Sequence, residues 1–216
     1  VQDLCLFLIR AGAKIEGSGT NVVTIYDGRS LVPKPHRVLN DHHEITTFLA
    51  ISAATGGEIK VNGVNRELFE PMGQVFNRLG VPVEYKGHVA CIARGGAPRI
   101  SPLQGRSVIS IKSRPWPGLP VDTLPLFIPL AMTAKTGQAI FHNWMYDAGL
   151  FWTTEFLKLG ANVIMADPHR VIVTGGEKLR GGTLEAPYII RAVVSIDNGR
   201  YGSPWRVDYI KRRCTL

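Results

Sequence analysis

A chain of 216 residues, 45% of them apolar, is long enough to bury a sizeable core as one large or two small domains. Its formal net charge of +8 points to anionic ligands or surfaces, and no apolar run approaches the roughly 18 residues of a membrane helix. Cys5, Cys91 and Cys214 stand far apart with no CxxC pair, which leaves a thiolate zinc or redox motif without support. The odd count fits a reducing cytoplasm. Basic residues are scattered, the densest cluster being Arg206 to Arg213, so a few arginines converging on a small anion compete with nucleic acid as the meaning of the charge.

The opening VQDLCLFLIRAG carries acid and base within its apolar stretch and no small-residue cleavage site, so it reads as a helix and not as a signal peptide. Leu4, Leu8 and Ala11 lie eight, four and one residues before Gly12. That spacing puts them on one helix face, with a glycine stop just beyond. AKIE and VVTI then read as a hairpin around Gly17-Ser18-Gly19, with Cys5 off the apolar face. The chain opens inside a unit and without a methionine, and is expected to be an internal piece of something longer.

Pro33 and Pro35 stiffen a linker and predict a lobe boundary near residue 35. Asp41, His42, His43 and Glu44 precede an apolar helix over Phe48 to Ala54. These polar residues read either as helix capping and first-turn acid or as a hinge or ligand-facing cluster. Two histidines at i and i+1 are expected to point apart on a helix and not to share a metal. Thr55-Gly56 then stops the helix before a strand. Met72, Phe76, Leu79 and Gly80 repeat the triad and its stop, with VPVE and VACI as the hairpin around Lys86-Gly87.

The next connection, SRPWPGLPVDTLPLF, places Pro115, Pro117 and Pro120 between a strand and a helix over Leu124 to Ala134. Asp122 follows this stiff frame, either as an N-cap or as a carboxylate held within reach of a substrate hydroxyl. Thr136-Gly137 is a second helix stop; Trp152, Phe156, Leu159 and Gly160 are a third triad, with ANVI and VIVT as its hairpin. A further unit starts near Gly182 and loses the pattern after Ser195.

The larger repeat is strand, helix, glycine stop, strand, helix, glycine, hairpin: an α/β (α+β) architecture of βαβαββ units. Residues 36–96 and 106–177 form whole units, 1–26 the second half of one, and 182–216 an incomplete one. No GxxxxGK[ST] loop, strand-following GxGxxG or GxSxG elbow is present, so P-loop, dinucleotide and serine-hydrolase chemistry lack support.

The repeated unit, LNDHHEITTF, PWPGLPVD, TEFLKLGA and IIRA together resemble the enolpyruvyl transferase family, and within it the enzymes acting on UDP-N-acetylglucosamine. The resemblance runs over nearly the whole chain apart from about residues 196–206. It implies two inside-out α/β barrel-like lobes of three units each, with residues 1–35 ending the first lobe and 36–216 forming most of the second. It also implies transfer of the enolpyruvyl group of phosphoenolpyruvate to a sugar hydroxyl in peptidoglycan precursor synthesis. The setting it implies is cytoplasmic, with no metal, cofactor, nucleic acid or membrane.

The same resemblance makes Asp122 the carboxylate that contacts the acceptor hydroxyl and takes its proton. Met145 contacts the nucleotide sugar, while Asp41 and Glu44 match the acids of a hinge segment. Arg191 and Arg212 match two anion-binding arginines. The chain departs from the family pattern at His42, Val121, Gly149 and Ile189, which replace an arginine, a threonine, an arginine and an aspartate. The family's lysine–asparagine pair and catalytic cysteine loop belong to the first lobe and are not in this chain, which is therefore expected to be inactive alone. A shikimate-phosphate transferase and a non-catalytic module binding anionic ligands are the alternatives.

Overall fold

The computed structural model describes residues 1–26, 30–95, 98–102 and 108–185, and the backbone of 208–210. The chain divides into two compact units, Val1–Asp41 and His42–Leu216. In the first, α1 (Gln2–Arg10) ends at Ala11 and Gly12 and leads into the antiparallel pair β1 (Lys14–Glu16) and β2 (Thr24–Tyr26). The side chain of Asp3 meets His36 Nε2 at 3.0 Å, tying α1 to the proline-bearing segment of the same unit. The apolar face of α1 differs from expectation. Leu4 is 59% exposed, whereas Cys5 is buried.

The second unit contains two copies of one topology. In the first copy, β3 (Ile59–Asn62), α3 (Arg66–Arg78), β4 (Glu84–Lys86) and β5 (Val89–Ile92) give a sheet of order β3-β5-β4. In the second copy, β7 (Gln138–His142), a 3-10 helix (Phe151–Leu159), β8 (Asn162–Asp167) and β9 (Arg170–Thr174) give the order β7-β9-β8. Both hairpins are antiparallel and each returning strand sits between its partners. The apolar helix α2 (His42–Thr55) precedes the first copy; a short 3-10 turn (Leu124–Leu126) and α4 (Phe127–Met132) precede the second. Beyond the second copy, β10 (Thr183–Glu185) pairs in parallel with β11 (Asp208–Ile210).

The copies differ at their leading strand. In the second copy, β6 (Ile109–Lys112) runs parallel to β7, joined to it by the crossover through α4. Residues 30–41, where the first copy would begin, contain no strand. The described sheets have two, two, three and four strands, and none of them closes into a barrel.

Burial explains why these segments fold as they do. Met72 and Phe76 on α3, and Leu79 at its C-terminal cap, are fully buried, and Trp152, Phe156 and Leu159 occupy the same place in the second copy. Asn65 caps α3, its side chain accepting from the amides of Glu67 and Leu68. Phe76 meets Phe127 of α4 edge-on at 5.0 Å, so one copy's triad packs against the helix of the next. Gly80 stops α3 with φ +77°, and a Cβ there would lie 2.2 Å from the carbonyl oxygen of Arg99. Only glycine meets both conditions. The third triad lies on a 3-10 helix and not on an α-helix. The hydroxyls of Thr153 and Thr154 donate to the carbonyls of Leu150 and Phe151, three residues back, in step with that tighter winding.

Candidate active site

The loop after β6 is pinned at both ends. Ser113, fully buried, donates its amide to the carbonyl of His142 on the neighbouring strand. The Arg114 amide donates to the Leu119 carbonyl at 2.8 Å, closing a loop that contains a cis Trp116–Pro117 bond. Gly118 is required where the chain turns back, because a Cβ would lie 2.4 Å from that of Arg114. The Thr123 hydroxyl and amide both donate to the Pro120 carbonyl, at 2.8 and 3.1 Å. Leu119, Thr123 and Leu124 are all buried.

Asp122 therefore projects from a turn whose neighbours on both sides are anchored. It does not cap the following helix: Thr123 holds the cap position, and no side chain bonds there. The Asp122 carboxylate, 27% exposed, faces His43 in the first turn of α2, with Oδ2 at 4.0 Å from Nε2. The sequence places His43 only in the capping or hinge cluster of residues 41–44, because its position opposite Asp122 depends on how α2 packs on the proline loop. The rings of His42 and His43 lie side by side, 4.4 Å apart and tilted by 31°, which corrects the expectation that they point apart. Glu44, in the same turn, is exposed. Asp41 is the last residue of the first unit and is also exposed.

A second loop, 143–149, is tied to the first. The Trp144 indole N–H donates to the Ser113 carbonyl at 2.8 Å. Met145 is 37% exposed, and its amide donates to the side-chain oxygen of the buried Asn143. His169 Nδ1 lies 3.0 Å from the Asn143 carbonyl, which can only accept, so Nδ1 carries the proton. Its Nε2 reaches the Asp147 carboxylate at 3.6 Å. Ala148 takes φ +54°, an uncommon conformation for a residue other than glycine. A Cβ on Gly149 would lie 2.7 Å from the Asn143 amide nitrogen, so this loop conformation is built around a missing side chain.

On the outer face of the sheet, His142 stands in register between Lys112 and Arg170. Burial, then the charges of Lys112 and Arg170, push its pKa below the ordinary 6.5. The Asp167 carboxyl is held below its usual value, first by the His169 amide and then by Arg170, whose Nε lies 2.8 Å away. Arg191 and Arg212 lie outside the described residues.

A family model described as EPSP synthase (3-phosphoshikimate 1-carboxyvinyltransferase) matches residues 1–196. The chain belongs to the EPSP synthase family. Among curated relatives, a UDP-N-acetylglucosamine 1-carboxyvinyltransferase of Bacteroides fragilis is 34% identical over 192 residues, covering 88% of this chain and 44% of the relative. Its counterpart in Bacteroides thetaiotaomicron is 35% identical over the same shares. The chain thus spans under half the length of the curated relatives it matches.

Solved structures share the fold. The enolpyruvyl transferase NikO from Streptomyces tendae superposes with a TM-score of 0.78 at 17% identity, over 97% of this chain and 48% of its own. EPSP synthase from Acinetobacter baumannii gives 0.62 at 16%, over 92% and 47%. The α/β class and the repeated helix–hairpin units read from the sequence agree with these folds. Among the described residues, no helix is long and apolar enough to cross a membrane.

Proposed function

We propose that this chain is part of an enolpyruvyl transferase that joins the enolpyruvyl group of phosphoenolpyruvate to a hydroxyl of UDP-N-acetylglucosamine; its 34–35% identical relatives are named UDP-N-acetylglucosamine 1-carboxyvinyltransferase. The observation that carries the reading is Asp122, a carboxylate on a doubly pinned proline loop. Its neighbours are fixed before substrate arrives, as general-base work requires.

In this reading Asp122 accepts the hydroxyl proton as the acceptor oxygen bonds to the central carbon of phosphoenolpyruvate. The methylene carbon gains a proton, giving a tetrahedral adduct. Loss of phosphate and of one methyl proton then restores the double bond in the product. His43, 4.0 Å from Asp122, helps orient the carboxylate. Met145 packs against the nucleotide sugar, while Asp41 and Glu44 serve the hinge. Arg191 and Arg212 hold anionic groups. Residues 1–35 end one lobe and 36–216 make up most of the other. The setting is cytoplasmic peptidoglycan precursor synthesis, and the first lobe's lysine–asparagine pair and cysteine loop complete the site.

Coupled phosphate-release measurements with both substrates test this half-site reading. The 216-residue chain alone is expected to release no phosphate above the uncatalysed rate. Turnover by the isolated chain would overturn it. Gly149, where a family arginine is absent and a Cβ would press on the Asn143 side chain, favours a second reading, a non-catalytic module that binds the same anions. UDP-N-acetylglucosamine binding that is indifferent to Asp122→Asn would favour that module.

A further inference from the structure

A cleft of about 960 Å³ lies between α3 and β6, and neither Asp122 nor Met145 lines it. Six charged residues line it: Arg66, Glu67, Glu70 and Arg78 from α3, and Lys112 and Arg114 from the β6 side. Four cations face two carboxylates, so the cleft carries an excess of two positive charges. Arg78 crosses the floor and donates from Nη2 to the Ser110 carbonyl at 2.6 Å. Glu70 accepts from Gln74 at 3.3 Å, and the Arg66 guanidinium stacks over Tyr85 at 5.0 Å from the ring centre. Lys112 and Arg114 are exposed, and neither forms an ion pair among the described residues.

Two further observations narrow the occupant. Trp116 stands at the rim with its indole half exposed, a flat apolar face beside a cationic floor. Lys112 also faces His142 across the sheet, and the Arg170 beyond it is paired with Asp167, so the unpaired cations of this region, among the described residues, gather at the cleft mouth. Guanidinium forks suit phosphate oxygens, and the volume is near the upper end of ordinary small-molecule sites, well beyond a lone phosphate.

We propose that the cleft between α3 and β6 binds a ring-bearing phosphorylated small molecule of the nucleoside diphosphate class, its phosphates on Lys112 and Arg114 and its ring on Trp116. This site is separate from the proposed acceptor site and does not depend on the transferase reading. The two share only the loop that passes from Arg114 to Asp122.

Titration calorimetry of the 216-residue chain with ADP, pyrophosphate and adenosine tests it. ADP avoids the uridine of the proposed acceptor. ADP is expected to bind with a dissociation constant of about 0.1–1 mM, pyrophosphate about tenfold more weakly, and adenosine more weakly still. Lys112→Ala with Arg114→Ala weakens ADP and pyrophosphate by about tenfold or more, whereas Trp116→Ala weakens ADP alone. All three side chains are exposed, and melting curves matching the parent chain show that the variants fold. Absence of ADP binding at about 5 mM, or binding that neither variant changes, would overturn the proposal. Pyrophosphate binding as tightly as ADP would also overturn it, leaving a plain phosphate site.

Discussion

Replacing Phe76 by alanine removes the side chain that joins the two repeats. Phe76 is fully buried, meets Phe127 edge-on at 5.0 Å and stacks on Phe69 at 6.4 Å. Truncating a buried phenylalanine costs about 3–5 kcal/mol through lost transfer energy and the cavity left behind. Each aromatic pair is worth about 0.5–1.5 kcal/mol beyond its buried area, so the upper half of that range is expected. For a chain of this size each kcal/mol lowers the melting temperature by about 2–4 °C, giving a fall of about 8–20 °C. Urea unfolding followed by circular dichroism checks the free energy directly. Phe48→Ala, at a residue 53% exposed on α2, is the comparison and costs under about 1 kcal/mol. If the two variants lose similar stability, the triads are not what holds the repeats together.

Two glycine stops separate backbone strain from crowding. Gly56 and Gly137 both take positive φ, but a Cβ meets nothing within 4 Å at Gly56 and lies 2.0 Å from the Ile100 carbonyl oxygen at Gly137. Gly56→Ala should cost about 1–2 kcal/mol and Gly137→Ala clearly more, measured by denaturant unfolding; equal losses would remove the crowding argument. In NMR titration, the His142 ring should titrate below 6.5, and Lys112→Gln should move it upward. Its folded pKa is depressed, so the stability it lends is fully present above about 6.5 and is lost as the pH falls through the lower folded value. A His142 titration at or above 6.5 would contradict the cationic row.

The repeats were legible because their signals are local. Met72, Phe76 and Leu79 share a face by spacing alone, and Gly80 and Gly160 fall at positive φ where the helices stop. The proline loop was legible for the same reason, since Pro115, Pro117 and Pro120 restrict the backbone whatever surrounds them. Facts set by packing were not. Spacing names the apolar faces of α1 but not the covered one, so Cys5 is buried where Leu4 was expected. Spacings of four and three do not separate an α-helix from the 3-10 winding of 151–159, which follows the threonine back-bonds. The missing leading strand before α2 and the approach of His43 to Asp122 depend on partners distant in sequence.

The role assigned to Asp122 is tested most directly by amide chemical shifts of the labelled chain as UDP-N-acetylglucosamine is added. Shifts concentrated at residues 119–123 and 143–147, weakened by Asp122→Asn and not reproduced by shikimate 3-phosphate, are the predicted result. Saturable shifts elsewhere that ignore Asp122→Asn would contradict the account.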